Sequence, residues 1–370
     1  MKNIIQLFTN IKRYIALRRR ANNYLYLQRL FVFALLCCAS FNLFAQHSGG
    51  GYAGSWNFRD MSARTIGLAG SFTAIADDPM AIFYNPAGLS NLSETPTIIS
   101  SISMLGLGRS NSTFAWGQEV IDGLGIGIAF NNFYTGTFTA RDAMGHAYGE
   151  YSNNQYAIAA SASYKIAYAS FGATAKYITD NLQGAETFSN GYAVDFGALF
   201  DMGMFRFGVQ LQNASGFLFW NTAGSDIMNL PWRLKAGIST KIYTTVERST
   251  DRSTVTGEIM TDEGDKGNAL NIGLDFAYTQ YSVAPVVSIG MEYEAHKYIT
   301  FRGGMGIYGD VYGHPELFPM NQWAGGVSVF PDIDFLNETL PFKFSIDYSV
   351  ANELVNATGI NHTIALTIKF

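Results

Sequence analysis

Residues 269–280 read ALNIGLDFAYTQ. Ile272, Leu274, Phe276 and Tyr278 recur at every second position, with Asn271, Gly273, Asp275 and Thr279 between them. Successive side chains of a strand point to opposite faces, so this segment reads as a strand with one apolar and one polar face. Residues 203–213 repeat the pattern: Phe205, Phe207, Val209 and Leu211 stand opposite Arg206, Gly208, Gln210 and Gln212. Residues 341–350 repeat it again, with Phe342, Phe344, Ile346, Tyr348 and Val350 opposite Lys343, Ser345, Asp347 and Ser349.

About fourteen such segments can be traced: 96–106, 112–118, 123–133, 154–166, 168–180, 189–201, 203–213, 232–242, 269–280, 285–294, 297–308, 321–330, 341–350 and 361–370. Many approach the ~9–11 residues that a tilted membrane strand needs. Strands of a soluble sandwich average nearer ~5–6 residues. An even number of long two-faced strands predicts an all-β membrane protein, a transmembrane antiparallel barrel of about 14 strands with its apolar face to lipid and its polar face to a lumen.

Composition agrees. Of 370 residues, 14% are charged and 15% aromatic, and 38 are glycine; soluble domains usually carry ~25% charged residues. The mean hydropathy of +0.07 is low for a chain built of membrane helices. With the N-terminus in the periplasm, connections after even-numbered strands should be short. Those near 167, at 201–204 and at 294–297 obey this, and the longer ones at 134–153, 213–231 and 309–320 follow odd strands. Residues 243–268 break the rule. They read as a charged periplasmic insertion, or else a strand has been miscounted.

Residues 1–29 carry seven bases and no acid, and an apolar run, LFVFALLCCASFNLFA, follows at 30–45. This predicts a signal peptide over 1–45. A single membrane anchor is the competing reading, but the apolar core falls short of the ~20 residues a spanning helix needs. Both cysteines, Cys37 and Cys38, lie in the run, so the remainder has no thiol for a disulfide or a metal. Removing seven bases from a net charge of -5 leaves about -12, which excludes a nucleic-acid partner. The five histidines are scattered without metal-ligand spacing. No grouping of Ser, His and Asp supports catalysis, so neither an enzyme, a cofactor nor a metal is expected. Gly123, Gly125 and Gly127 fall inside an alternating strand and read as small lumen residues rather than a phosphate loop.

Charged residues on the polar face alternate in sign from strand to strand. Asp195 is followed by Arg206, by Arg233, Lys235 and Lys241, by Asp275, by Glu292 and Glu294, by Arg302, and by Lys343 and Asp347. They predict a lumen charge network that either braces the barrel or orients a solute.

Residues 60–94 do not alternate. In ADDPMAIFYNPAGLS (76–90), Asp78 can cap a helix begun by Pro79, and Asn85 and Pro86 repeat the arrangement seven residues later. Pro86 ends the first helix, because the residue before a proline is pushed out of helical geometry. Two short helices ahead of the first strand predict a plug over 46–94 inside a barrel formed by 95–370. Asp77, Asp78, Pro79, Asn85, Pro86 and Gly88 are its candidate gating residues.

The stretch ARTIGLAGSFTAIADDPMAIFYNPAGLS (63–90) resembles the N-terminal hatch of FadL-like outer-membrane barrels, with Asn85-Pro86-Ala87 matching their Asn-Pro-Ala motif. PWRLKAGIS (231–239) and GMEYEAHKYITFRGGMGIY (290–308) resemble strands of the PorV/PorQ branch. The resemblance implies a fourteen-stranded barrel plugged by the hatch, in the bacterial outer membrane. For function it implies two things. PorV/PorQ-type barrels are non-enzymatic and serve type IX secretion or surface-protein attachment, with secretion components or cargo as partners; this is the first expectation. FadL-like barrels pass hydrophobic small molecules through the lumen and out of a lateral opening; this is the alternative. In either case the partners include outer-membrane lipid and the barrel assembly machinery. The chain's end, HTIALTIKF, with Phe370 last, resembles the strand signal that machinery reads.

Overall fold

Each alternating segment is a strand in the computed structural model, which describes residues 53–222, 224, 226–243, 250–252, 259–261, 268–280, 285–308, 320–331, 342–352 and 359–370. The barrel strands are β1 (Thr97–Met104), β2 (Ser110–Ile121), β3 (Leu124–Arg141), β4 (Ala147–Ile166), β5 (Ala169–Gln183), β6 (Thr187–Asp201) and β7 (Phe205–Trp220). They continue with β8 (Arg233–Tyr243), β9 (Ala269–Thr279), β10 (Val286–His296), β11 (Ile299–Tyr308), β12 (Met320–Val329), β13 (Lys343–Asn352) and β14 (Ile360–Lys369). Every strand pairs antiparallel with its sequence neighbour, and β1 pairs with β14 from Thr97↔Lys369 to Met104↔His362. The sheet therefore closes and leaves no unpaired edge.

The period-two pattern sets which side chains face the lumen. On β9, Asn271, Gly273 and Asp275 are buried, while Leu274 is 46% and Phe276 41% exposed on the outside. An outward apolar band of this kind is what a strand needs in hydrocarbon. Among the described residues no helix is long and apolar enough to cross a membrane.

Three expectations are corrected. Residues 134–153 are mostly strand rather than connection: β3 runs to Arg141 and β4 starts at Ala147. The turn between them is closed by Asp142, whose carboxylate accepts from the N–H groups of Met144 (2.8 Å) and His146 (2.9 Å). Many of these strand ends are exposed on both faces, so the sequence carries little apolar alternation there to reveal them. Residues 213–231 likewise contain the end of β7 and a short strand, Ile227–Asn229, paired to Phe217–Phe219. Gly123 is a turn residue with φ +77°, and only Gly125 and Gly127 face the lumen.

Residues 243–268 leave the barrel at the end where β1 begins. They contain an antiparallel pair of short strands, Thr250–Arg252 with Ile259–Thr261. The rest of that segment, the 1–45 segment and most of 309–320 lie outside the described residues.

Several strand pairs shift register, two of them at residues with positive φ. The β3–β4 register shifts between Tyr134 and Thr137, around Gly136 at φ +78°. The β6–β7 register shifts between Val194 and Phe196, opposite Asn213 at φ +50°. Bulges bend the strand and add local twist.

The segment before β1 fills the lumen. It comprises a 3₁₀ turn (Ser55–Phe58), helix α1 (Ala63–Gly67), helix α2 (Ala81–Tyr84) and a second 3₁₀ turn (Pro86–Asn91). Ser62 caps α1: its hydroxyl accepts from Thr65 N (3.2 Å), and Thr65 answers on the Ser62 N–H. Asn85 caps the second 3₁₀ turn through Ala87 N (3.3 Å), with Pro86 at its first position, as the sequence predicts. Regular helix in α2 starts two residues after Pro79, because the Asp78 carboxylate first closes a turn onto Met80 N (2.8 Å). Phe72, Ile75, Met80, Ile82, Phe83 and Leu89 form one buried cluster with Ala115, Ala129, Ala159 and Leu199 of the wall.

Candidate functional site

The hatch backbone lies directly on the barrel wall. A Cβ at Gly125 would stand 2.1 Å from the carbonyl oxygen of Leu89, and one at Gly197 would stand 2.1 Å from Asn85 Oδ1. Gly172, Gly208, Gly290 and Gly304 meet hatch backbone at similarly close range. These inward glycines form a belt that only a residue without a side chain can supply. Gly88 does the same inside the hatch, where a Cβ would meet Ala76 O at 2.0 Å.

Hydrogen bonds from inward side chains complete the seat. Asn85 Nδ2 donates to Thr73 O (2.8 Å) and to Ala198 O on β6 (3.1 Å). Gln210 donates to Phe83 O (3.1 Å), Thr174 to Ile82 O (3.1 Å) and Arg206 to Ile75 O (3.1 Å). Asp275 accepts from the N–H groups of Phe72 (3.1 Å) and Thr73 (2.9 Å). Lys235 lies 3.8 Å from Asp275, donates to Gly70 O (3.3 Å) and sits over the Tyr84 ring.

On the β10–β13 side, α1 is tied to the wall by charge. The Arg64 guanidinium donates Nε and Nη2 to the two oxygens of Glu292, each at 2.9 Å, and Nη1 to Asp77 (2.6 Å) and Asp78 (2.8 Å). Arg302 Nε reaches the same Glu292 at 2.5 Å and pairs with Asp347 at 3.1 Å. Ser328 bridges Arg302 and Asp347. The bidentate Arg64–Glu292 pair fixes direction as well as charge. Burial opposes the Arg64 charge, yet Asp77, Glu292 and Asp78 hold it well above the ordinary guanidinium value. Burial pushes the Asp78 carboxyl up despite Arg64 beside it. A cavity of about 290 Å3 lies here, lined among others by Arg64, Asp77, Lys241, Glu294, Arg302 and Phe330.

The sequence-predicted residues thus divide. Asp77, Asp78, Asn85, Pro86, Gly88, Arg206, Lys235, Asp275, Glu292, Arg302 and Asp347 meet in the hatch seat. Arg233 also touches the N-terminal segment, donating to Phe58 O (3.0 Å). Pro79 opens the α2 turn, its carbonyl accepting from Ile82 N (3.3 Å). Asp195 belongs to a separate cluster: it pairs with Lys176 at 2.8 Å, both side chains fully buried, beside the bulge at Asn213. Lys343 does not join the network. It has the inward parity but is the first residue of β13, where it stands exposed at the rim. Phe370 is exposed beside Phe342, with its N–H on Pro96 O at 3.1 Å across the β1–β14 seam.

Two central residues escaped sequence reasoning, and both carried a signal. Arg64 is the only base between residues 60 and 94, facing the acids Asp77 and Asp78 in the same segment. Lys176 shares the parity of the buried Thr174, Ile178 and Asp180 on β5.

Toward the opposite end of the lumen an apolar cluster stands among polar inward residues such as Asn131, Asp180 and Ser189. Phe133, Ala157, Ile178, Ala193 and Leu218, from β3 to β7, pack with Leu230 and Trp56. Among the described residues no cluster of His, Cys, Asp and Glu could hold a metal.

A closed fourteen-stranded barrel with an apolar outer band and an N-terminal hatch in its lumen defines a plugged outer-membrane type of barrel. No protein-family profile and no curated protein matches the chain. Solved structures do, FadL-family outer-membrane barrels among them. The toluene transporter TbuX of Ralstonia pickettii superposes with a TM-score of 0.53 at 14% identity, covering 85% of this chain and 100% of that one. A FadL homologue of Pseudomonas aeruginosa gives 0.53 at 10% identity over 84% and 98%. The CymD monoaromatic hydrocarbon channel gives 0.52 at 13% identity over 84% and 97%. The chain therefore has the FadL-like fold. These structures show the fold and do not show the PorV/PorQ branch.

Proposed function

We propose that the chain is a non-enzymatic channel of the bacterial outer membrane for hydrophobic small molecules, with the hatch as its gate. One observation carries the reading: beyond the hatch, inward-facing apolar side chains from five strands, Phe133, Ile178 and Leu218 among them, gather into one buried cluster in the lumen. An aqueous porin keeps its interior polar. The FadL-like fold supports the same reading, and the neighbours described as a toluene transporter and a hydrocarbon channel share it. Hatch residues Asp77, Asp78, Asn85 and Gly88 hold the gate shut through Arg64, Thr73, Ala198 and Ala76.

The test is uptake of an apolar dye, N-phenylnaphthylamine, by cells whose outer membrane carries the protein. Accumulation should exceed that of cells without it and change with Asn85→Ala. Equal accumulation in all three strains defeats the reading.

A second reading, a PorV/PorQ-type barrel serving type IX secretion or surface attachment, rests on the sequence resemblance of 231–239 and 290–308. An unchanged surface proteome after gene deletion would remove it.

A further inference from the structure

We propose that Asp180, toward the outer end of the lumen, anchors a binding site for a sodium-sized monovalent cation, completed by Ser189, Asn153 and Gln155. The site does not depend on whether a solute passes the hatch.

Strand register assembles it. Gln155 on β4 stands opposite Asp180 on β5, Asp180 opposite Ser189 on β6, and Ser189 opposite Trp220 on β7. Asp180 is 5% exposed and Ser189 fully buried. Gln155 Nε2 donates to Asp180 Oδ2 at 2.7 Å, and the Asn153 amide lies beside the same carboxylate. What remains is oxygen: Asp180 Oδ1, Ser189 Oγ and Asn153 Oδ1 are buried and have no hydrogen-bond partner. Trp220 Nε1 is unpaired too, and as a donor only it marks the edge of the site.

Charge and donor chemistry select the ligand. A carboxylate taken out of water needs a positive partner. The wall acids Asp195, Asp275, Glu292 and Asp347 each pair with a Lys or Arg. Among the described residues none pairs with Asp180. Lys176, on the same face of β5, is committed to Asp195 at 2.8 Å and to Asn213 Oδ1 at 2.6 Å. The atoms left over are hard oxygens, and the two flanking amides present oxygen to a cation by a half-turn of the last side-chain bond. Such donors suit alkali and alkaline-earth ions rather than zinc or copper. The single negative charge decides within that class. A monovalent ion leaves the site neutral, whereas calcium or magnesium would leave a buried charge unbalanced. Asn153 is half-buried and keeps the site within reach of solvent. A bound ion would join β4, β5 and β6 through their side chains.

The experiment uses the full chain in a nonionic detergent at about pH 8, above the ordinary carboxylate range. Hydrogen exchange is compared in sodium chloride and in choline chloride of equal concentration. An ion held by the closed form alone slows local opening in proportion to its concentration, about elevenfold at ten times its dissociation constant. Peptides covering 150–157 and 177–190 should show this slowing, and peptides from β10–β13 should not. Asp180→Asn keeps the shape, removes the charge, and should abolish the response with the heat-modifiable barrel band intact. Ser189→Ala, which removes one ligand, should weaken the response about fivefold. Equal exchange in the two salts overturns the proposal and leaves Asp180 neutralised by its own proton. A sodium response that survives Asp180→Asn places the ion elsewhere and overturns it as well. A larger response to calcium chloride at equal ionic strength overturns the choice of a monovalent ion.

Discussion

Replacing Glu292 by alanine should loosen the hatch and little else. The carboxylate accepts three charge-assisted hydrogen bonds, two from Arg64 and one from Arg302, and its side chain is 4% exposed. Removing one partner of a buried ion pair costs about 3–5 kcal/mol. Arg64 keeps Asp77 and Asp78, and Arg302 keeps Asp347, so neither guanidinium is stranded. The lower end, about 3 kcal/mol, therefore applies. At 1.36 kcal/mol per decade this raises the open-hatch population roughly 100-fold. Hydrogen exchange read by mass spectrometry should report it directly. Peptides covering 63–70 should exchange roughly 100-fold faster, while peptides from β3–β6 should keep wild-type protection. Unchanged protection over 63–70 would refute the account of Glu292 as the joint between hatch and wall. Uniform loss across the barrel would refute its locality.

Four further outcomes are expected. Asn85→Ala strips donors from the carbonyls of Thr73 and Ala198, and should cost about 2 kcal/mol of hatch stability, read by exchange over 73–88. Gly125→Ala puts a methyl into the Leu89 carbonyl and should make the 86–91 segment protease-sensitive without dissolving the barrel, whereas an Ala at the open Gly303 should be silent. Burial holds the Asp78 carboxyl above its ordinary value, so the folded chain binds that proton more tightly than the unfolded chain. Stability then falls as pH rises from the ordinary carboxylate range through the raised value, and Asp78→Asn should melt with the wild type near pH 3 and above it near pH 8 (both about). Phe370→Ala should lower the amount of folded protein in the outer membrane while leaving refolding in detergent intact; equal amounts in both would remove the assembly role.

The strands were legible because lipid and lumen impose opposite demands on alternate residues. Leu274 and Asp275 cannot exchange faces, so the order and number of strands follow from period two. The signal fades where both faces meet water, which is why the ends of β3, β4 and β7 read as connections. The hatch was legible by contrast, since Asp78-Pro79 and Asn85-Pro86 punctuate a segment that does not alternate. Its seat was not. Whether Gly125 touches Leu89 or empty space depends on how the hatch is threaded, and no local pattern encodes that. Parity placed Lys343 in the lumen but could not say that β13 begins there, at the rim. The apolar cluster around Trp56 was hidden for a similar reason: Phe133, Ile178 and Leu218 interrupt the polar face of their strands, and a single large apolar residue on an inward face looks like noise until several strands contribute to one cluster.

The glycine belt also bears on how freely the hatch can change. The wall touches the plug largely at its main chain, through Leu89, Pro86, Thr73 and Leu68. Such a surface reads the path of a backbone more than the identity of its side chains. Substitutions along the hatch that keep its length, its turns and the Arg64 and Asn85 side chains should be absorbed, while insertion of a single residue would shift every contact out of its notch at once. A chimera whose hatch keeps its length, its apolar positions and the Arg64 and Asn85 side chains should therefore seat, and one lengthened by a residue should not.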